Sequence, residues 1–362
     1  MKSSYSVVDL FSGCGGASLG VELAGCRVVG AVDIDPAACK IYSRNLGLEP
    51  IQGDLRQLKG REILERCGLK KGDTGFVIGC PPCQGFSSLR RTRALPEEDG
   101  RNDLISVFLE RVYEIQPKVV IFENVPGIAT LCGGKYLTSY LNRMRKMGYK
   151  SVCETLDTAD YGLPQFRKRT VAFSVRHWND KEEPSMPPAS HCNPKYSEER
   201  RMLPWSTVRK TISRFPPLEP GESTPSVPNH KAGRHAPRIL KIIQNVPRDG
   251  GSRKDLPRYL WLKCHKQLRN GGAENVYGRM WWDRPSPTIT SRCTCPSSGR
   301  FIHPEQDRAI TPREAASLQT FPDHFVFPEE SSKAAYYIGN AVPPALIRNL
   351  VQQFIEDNSH ML

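Results

Sequence analysis

Four short stretches of this sequence carry residue types that do chemistry. The first is Asp9-Leu-Phe-Ser-Gly-Cys-Gly-Gly-Ala-Ser-Leu-Gly20. Glycines directly after an apolar run let the backbone approach a bound ligand closely. Asp33 lies 17 residues beyond Gly16, near the spacing of an acid that takes ribose hydroxyls. The pair predicts a nucleoside-containing cofactor. Counted from Gly13, however, the run reads G-x-G-G-x-S. The third glycine of the dinucleotide fingerprint is missing, so an adenosine cofactor without a pyrophosphate fits better than NAD.

The second stretch is Gly79-Cys-Pro-Pro-Cys83-Gln. Its two cysteines admit a redox or zinc reading. No second C-x-x-C pair accompanies them, Cys293 and Cys295 have the wrong spacing, and Cys264 and His265 stand isolated, so no metal site is expected. The other reading makes Cys83 a nucleophile. The third stretch, Glu123-Asn-Val, offers a carboxylate. The fourth, Gln165-Phe-Arg167-Lys-Arg169, offers guanidinium groups. Carried at one edge of a parallel sheet, the thiol, the acid and the cations would face one pocket.

The elements that must position them alternate. Residues 5–11, 27–32, 76–79, 119–122 and 170–175 read as strands, with helices over about 17–23, from Pro36, and over 103–115. The apolar runs are continuous rather than alternating, as in strands covered on both faces. This predicts an α/β fold with a doubly wound, mostly parallel sheet. Beyond Arg176 the pattern dissolves into a proline-rich stretch, a second, smaller, loop-rich domain. Regularity returns with a capping box at Thr311-Pro-Arg-Glu314 and with Leu346, Leu350 and Phe354 on one helix face. That tail is expected to pack back on the first domain. The expected division is 1–178, 179–283 and 284–362, the last segment completing the first.

The 362 residues carry 51 Lys and Arg against 38 Asp and Glu, a net charge of +13. Residues 191–300 hold 21 basic and 8 acidic side chains, while the rest of the chain is balanced. An excess confined to one segment points to a polyanion partner there. No run approaches the ~18 apolar residues of a membrane span. Asp9 interrupts the apolar start, so no secretory signal is expected. The 12 cysteines then read as reduced thiols in a cytoplasmic setting.

Taken in order, these pieces resemble the C5-cytosine DNA methyltransferases of the bacterial type. The matches are Asp9-Leu-Phe-Ser-Gly-Cys-Gly-Gly, Asp33, Gly53-Asp54, Pro82-Cys83-Gln84, Glu123-Asn-Val, Gln165-x-Arg167-x-Arg169, Arg284-Pro-Ser-Pro-Thr288, Leu318-Gln-Thr-Phe-Pro322 and Gly339-Asn340-Ala-Val. Only about 180–280 falls outside, the place of the family's target recognition domain. The resemblance implies S-adenosylmethionine as cofactor and double-stranded DNA as partner, with a base flipped from the stack. It gives Cys83 the attack on cytosine, Glu123 the ring edge, and Arg167 or Arg169 the stabilisation of the thiolate. The cofactor would be bordered by Phe11, Gly13, Cys14 and Gly16, by Asp33 and Ile34, by Asp54 and Leu55, by Pro82, and by Asn340. The family often has glutamate and an aromatic ring where this chain has Asp33 and Ile34.

DNA contacts are expected from Arg90, Arg91 and Arg93, in a loop predicted to close over the flipped base, and from Arg234, Arg238, Arg253, Lys254 and Arg258. The resemblance further implies a monomer in the cytoplasm of a prokaryote or phage host, at the nucleoid, paired with a cognate restriction endonuclease. Rival readings are an RNA methyltransferase of the tRNA-directed branch, a catalytically dead DNA-binding regulator, and a dehydrogenase.

Overall fold

The computed structural model describes residues 5–82, 103–176, 183–266 and 275–358. By contacts the chain forms two compact units. One comprises 1–157, 168–189 and 342–362; the other comprises 158–167 and 190–341. Of the expected last segment, 284–341 therefore packs within the second unit, and only the stretch from Val342 onward packs within the first.

The first unit is built on a seven-stranded sheet of order β3-β2-β1-β4-β5-β7-β6. The strands are β1 (Ser6–Leu10), β2 (Arg27–Asp33), β3 (Ile51–Gln52), β4 (Phe76–Gly79), β5 (Val119–Asn124), β6 (Tyr149–Asp157) and β7 (Lys168–Arg176). All pairings from β3 through β5 are parallel, and β7 runs antiparallel to both neighbours. The residues of β4 and β5 are buried throughout, which explains their unbroken apolar sequence.

Helices α1 (Gly16–Leu23), α2 (Pro36–Leu46), α3 (Gly60–Arg66), α4 (Asp103–Ile115) and α5 (Lys135–Lys146) flank the sheet. Helix α2 starts where Asp35 accepts a hydrogen bond from the Ala37 N–H and Pro36 fixes the first turn. One face of the sheet packs Val8, Leu10, Val77, Val120 and Phe122 against Phe108, Val112 and Tyr140. In the C-terminal helix Pro344–Asp357, Leu346, Leu350 and Phe354 are fully buried. That helix lies against α1, where Gly20 leaves room for the Pro344 carbonyl. Among the described residues, no helix is long and apolar enough to cross a membrane.

The second unit has little regular structure. Its core gathers Ile242, Ile243, Val246, Leu256, Leu260, Tyr277 and Ile302. Arginines do much of the remaining work. Arg279 is fully buried and donates to the carbonyls of Val246, His303, Gln306 and Ile243. Arg308 forms a two-pronged pair with Glu314, both bonds at 2.8 Å. Glu314 also closes the capping box with Thr311, and the Arg308 charge helps hold its carboxyl down at about 2 against the opposing effect of burial.

Candidate active site

The register of the parallel strands places the chemistry along one edge. Val32, Leu10, Gly79 and Phe122 are aligned across β2, β1, β4 and β5. The residue that follows each in the chain is Asp33, Phe11, Cys80 and Glu123, the first and last still within their strands. With strands about 4.8 Å apart, these form one row at the carboxyl end of the sheet. Connections run outward in both directions from the β1–β4 boundary, the point at which open α/β sheets bind ligands.

At β1 the chain enters a tight loop. Phe11 (φ 67°), Gly13 (φ 54°) and Gly15 (φ 96°) all take left-handed conformations. A Cβ on Gly15 would meet the Leu46 side chain at 2.6 Å, whereas one on Gly13 would meet nothing within 4 Å. The loop backbone is thus packed beneath and open at Gly13. Asp33 secures it: Gly13 N–H donates to Oδ2 at 2.7 Å and Asp35 N–H donates to Oδ1 at 2.9 Å. The Gly53 N–H donates to the Asp33 carbonyl at 2.9 Å, tying in the end of β3. Burial pushes the Asp33 pKa up against these bonds. Asp54 accepts from the Arg56 N–H at 2.9 Å. Leu55 is buried, while Ile34 is 63 % exposed beside Asp33. An open glycine backbone, a carboxylate with lone pairs remaining, and an exposed apolar side chain fit an adenosine-containing ligand. Cys14 is buried and its thiol is pushed up to about 12, so it contributes packing rather than reactivity.

At β4, Gly79 has no room for a side chain, because a Cβ there would lie 2.1 Å from the Phe108 ring. The strand then turns through Cys80, buried Pro81 and exposed Pro82. The Asn124 amide donates to the Pro81 carbonyl at 3.3 Å, fastening this turn to β5. Cys83, Arg90, Arg91 and Arg93 lie outside the described residues.

Glu123 and Asn124 are the last residues of β5 rather than the start of the loop after it. The Arg169 Nε lies 2.7 Å from the Glu123 Oε1, both side chains being largely buried. Antiparallel β7 makes this possible, because Asn124 pairs with Thr170 and Arg169 falls just beyond.

The two expected arginines part company. Arg167 is buried, and its guanidinium donates to the carbonyls of Ile289 (2.9 Å), Gly339 (3.2 Å) and Ala341 (3.2 Å). These bonds make it a tie within the second unit. Gln165 extends the tie: its amide donates to Gln319 Oε1 at 2.8 Å and accepts from the Ile289 N–H at 2.8 Å. Gln319 in turn donates to the Ile338 carbonyl. Four of the sequence motifs are therefore one buried polar network. Arg167→Ala strips donors from three carbonyls and should lower stability by at least about 2 kcal/mol, read as a fall in the urea midpoint. Arg167→Lys should not restore it, since a point charge cannot span three acceptors. Asn340 is exposed at the end of the helix Ser331–Asn340.

Of the expected DNA contacts, Arg234, Arg238, Lys254 and Arg258 are exposed. Arg253 is not: it is 3 % exposed, with its guanidinium over the Trp261 ring at 5.5 Å. The capping box of Ser252 and Asp255 sets the turn that points it inward. The sequence reading missed Tyr259, which is 74 % exposed between Arg258 and buried Leu260. An aromatic residue inside a basic stretch was the available signal.

A mostly parallel seven-stranded sheet with β7 reversed, and a glycine loop, a proline turn and an acid along its carboxyl edge, define a protein of the methyltransferase class. The chain belongs to the C-5 cytosine-specific DNA methylase family, whose model matches residues 5–356. It is 34 % identical over 359 residues to the Type II methyltransferase M1.HphI of Haemophilus parahaemolyticus, covering 99 % of this chain and 88 % of that one. It is likewise 34 % identical to the Type II methylase M.HgiDII of Herpetosiphon aurantiacus, covering 97 % and 96 %. Among solved structures it resembles a protein described as a DNA modification methyltransferase encoded within an Escherichia coli prophage. That match has a TM-score of 0.69 at 26 % identity and covers 98 % of this chain and 99 % of the other. The Schizosaccharomyces pombe Dnmt2 methyltransferase shares the fold, with a TM-score of 0.62 at 16 % identity over 98 % and 99 %.

Proposed function

We propose that this chain transfers a methyl group from S-adenosylmethionine to carbon 5 of a flipped-out cytosine in a specific duplex DNA sequence, through a transient bond to Cys83. The observation that carries this reading is the common edge: the Pro81-Pro82 turn leading to Cys83 is fastened by Asn124 beside Glu123. Phe11 and Asp33 lie on the same edge, toward β2.

Carbon 5 of cytosine is a weak nucleophile. Addition of the Cys83 thiolate to carbon 6 moves the ring's electron pair onto carbon 5 and divides one hard step in two. Glu123 meets the N3 and amino edge of the ring, and Arg169 keeps its carboxylate aligned. When bound, S-adenosylmethionine supplies a methyl group on a sulfonium. The backbone at Gly13 and Gly16, the Asp33 carboxylate, Ile34, Asp54 and Asn340 are the groups that would hold it. Release requires loss of the carbon 5 proton to a base and expulsion of the Cys83 sulfur, which leaves as thiolate.

A base within a duplex hides its ring faces, and extruding it costs a few kcal/mol. Phosphate contacts from the basic stretch 179–283, with Arg234, Arg238, Lys254, Arg258 and Tyr259 on its exposed surface, offset that cost. Arg90, Arg91 and Arg93 are assigned to the DNA side of the pocket by their place after Cys83. With about six phosphates neutralised, affinity falls as roughly the fifth power of salt concentration. Lys254→Ala should lower the salt exponent by about one and leave the preferred sequence unchanged. A retained exponent would remove Lys254 from the interface.

The relatives' names as Type II methyltransferases support a role as the modification partner of a restriction endonuclease. We place the protein as a monomer in the cytoplasm, at the nucleoid. The direct test incubates the protein and labelled S-adenosylmethionine with duplex DNA or with tRNA, then maps methylated cytosines in DNA from expressing cells. Label in tRNA alone would overturn the DNA assignment.

A further inference from the structure

Beneath the glycine loop lies a polar cluster that the reaction does not use. Asp9, the penultimate residue of β1, is fully buried. Its Oδ2 accepts a hydrogen bond from the Ser18 hydroxyl of α1 at 2.6 Å. Its Oδ1 has no hydrogen-bond partner among the described residues, nor does the buried hydroxyl of Ser12 in the loop, while the buried Tyr42 of α2 faces the Ser18 hydroxyl. The groups acting on Asp9 from its neighbours are Ser18 and the Asp33 carboxylate of β2. Tyr42 in turn feels Asp9 and Glu22. Ile78 of β4 lies opposite in register. No lysine or arginine is among them. A carboxylate in such surroundings keeps its proton, since the hydroxyl and backbone N–H of Ser18 cannot replace the solvation that burial removes.

We propose that Asp9 is a positioning residue for the cofactor loop. Its neutral form holds Ser18 and the start of α1 against β1, and its ionisation, next to Asp33, loosens the loop and weakens cofactor binding. The inference rests on the reading that this loop receives S-adenosylmethionine. It acts through Ser18 and the loop backbone, with no contact between Asp9 and the cofactor.

Burial raises the Asp9 pKa from 3.8 to about 7. The folded state therefore binds a proton that the unfolded chain has released. Stability falls as pH rises between these two values and levels off above about 7.

The experiment measures S-adenosylmethionine affinity from pH 6 to 9, and the urea midpoint of the cofactor-free protein from pH 4 to 9. Wild-type affinity should fall by up to about tenfold per pH unit above pH 7. Asp9→Asn, which fixes the neutral shape, should bind with a flat profile and lose the wild-type decline in midpoint. Ser18→Ala removes the side-chain bond that favours the charged form, leaves the Ser18 backbone N–H in place and should move the fall to higher pH, which decides the matter even if the Asn variant does not fold. A flat wild-type profile, or an unchanged decline in Asp9→Asn, overturns the proposal. If the urea midpoints behave as described but wild-type protein binds no S-adenosylmethionine at any pH, the cofactor reading fails and the loop-positioning role falls with it.

Discussion

Cys83→Ala abolishes methyl transfer to duplex DNA while DNA affinity stays close to that of wild type. Removing a covalent nucleophile costs on the order of 10⁶-fold in rate, below detection in a labelled-methyl assay. Affinity should survive, since the proposed interface rests on phosphate contacts, not on the thiol. A duplex with fluorine at carbon 5 of the target cytosine sharpens the test. Fluorine cannot leave as a cation, so the sulfur stays bonded, and wild type should form a denaturant-resistant complex that Cys83→Ala cannot. The neighbouring cysteine provides the control: Cys80→Ala should keep the complex. Four other thiols are poor alternatives, since burial pushes those of Cys26, Cys39 and Cys153 up to about 11 and that of Cys293 up to about 12. Normal turnover by Cys83→Ala would remove the covalent mechanism.

Glu123→Gln should lower kcat by about 10²–10⁴-fold, the usual contribution of a positioned acid or base, with much less change in S-adenosylmethionine affinity. The amide keeps the shape of the side chain but loses the charge that Arg169 meets at 2.7 Å. The acid stands two strands from the Phe11 end of β1 in the sheet order, so the cofactor's adenosine would not feel the change. Single-turnover rates and equilibrium binding measured on the same samples separate the two effects. Equal losses in both would make Glu123 a structural residue. Arg169→Ala should reproduce part of the rate loss, since it frees the carboxylate that Arg169 orients.

Where the sequence carried a strong local signal, the elements match. The continuous apolar runs became buried strands, helix α4 spans Asp103–Ile115 as expected, and the capping box at Thr311 formed. Two strands of the seven-stranded sheet escaped the reading. β3 has only two residues, and β6 reads as mixed polar sequence because it lies at the sheet edge and is only partly covered. The long side chains were least legible. Arg167 and Arg253 look like solvent-facing cations in sequence, yet both are buried, one on backbone carbonyls and one on an indole ring. Nothing local separates them from Arg169 or Arg258, because an arginine's partners are chosen by residues distant in the chain.

By itself the sequence determined the class of fold and the family, since these follow from short-range periodicity and from motifs with their own turn geometry. The tertiary structure alone decided that β7 runs backward and so brings Arg169 to Glu123. It also decided that four motifs merge into one buried network, and that Asp9 is buried against Ser18 under the glycine loop. Each of these depends on a pairing across the sheet or between packed elements. Such pairings are set by the whole core closing at once, and local sequence does not show which groups will meet.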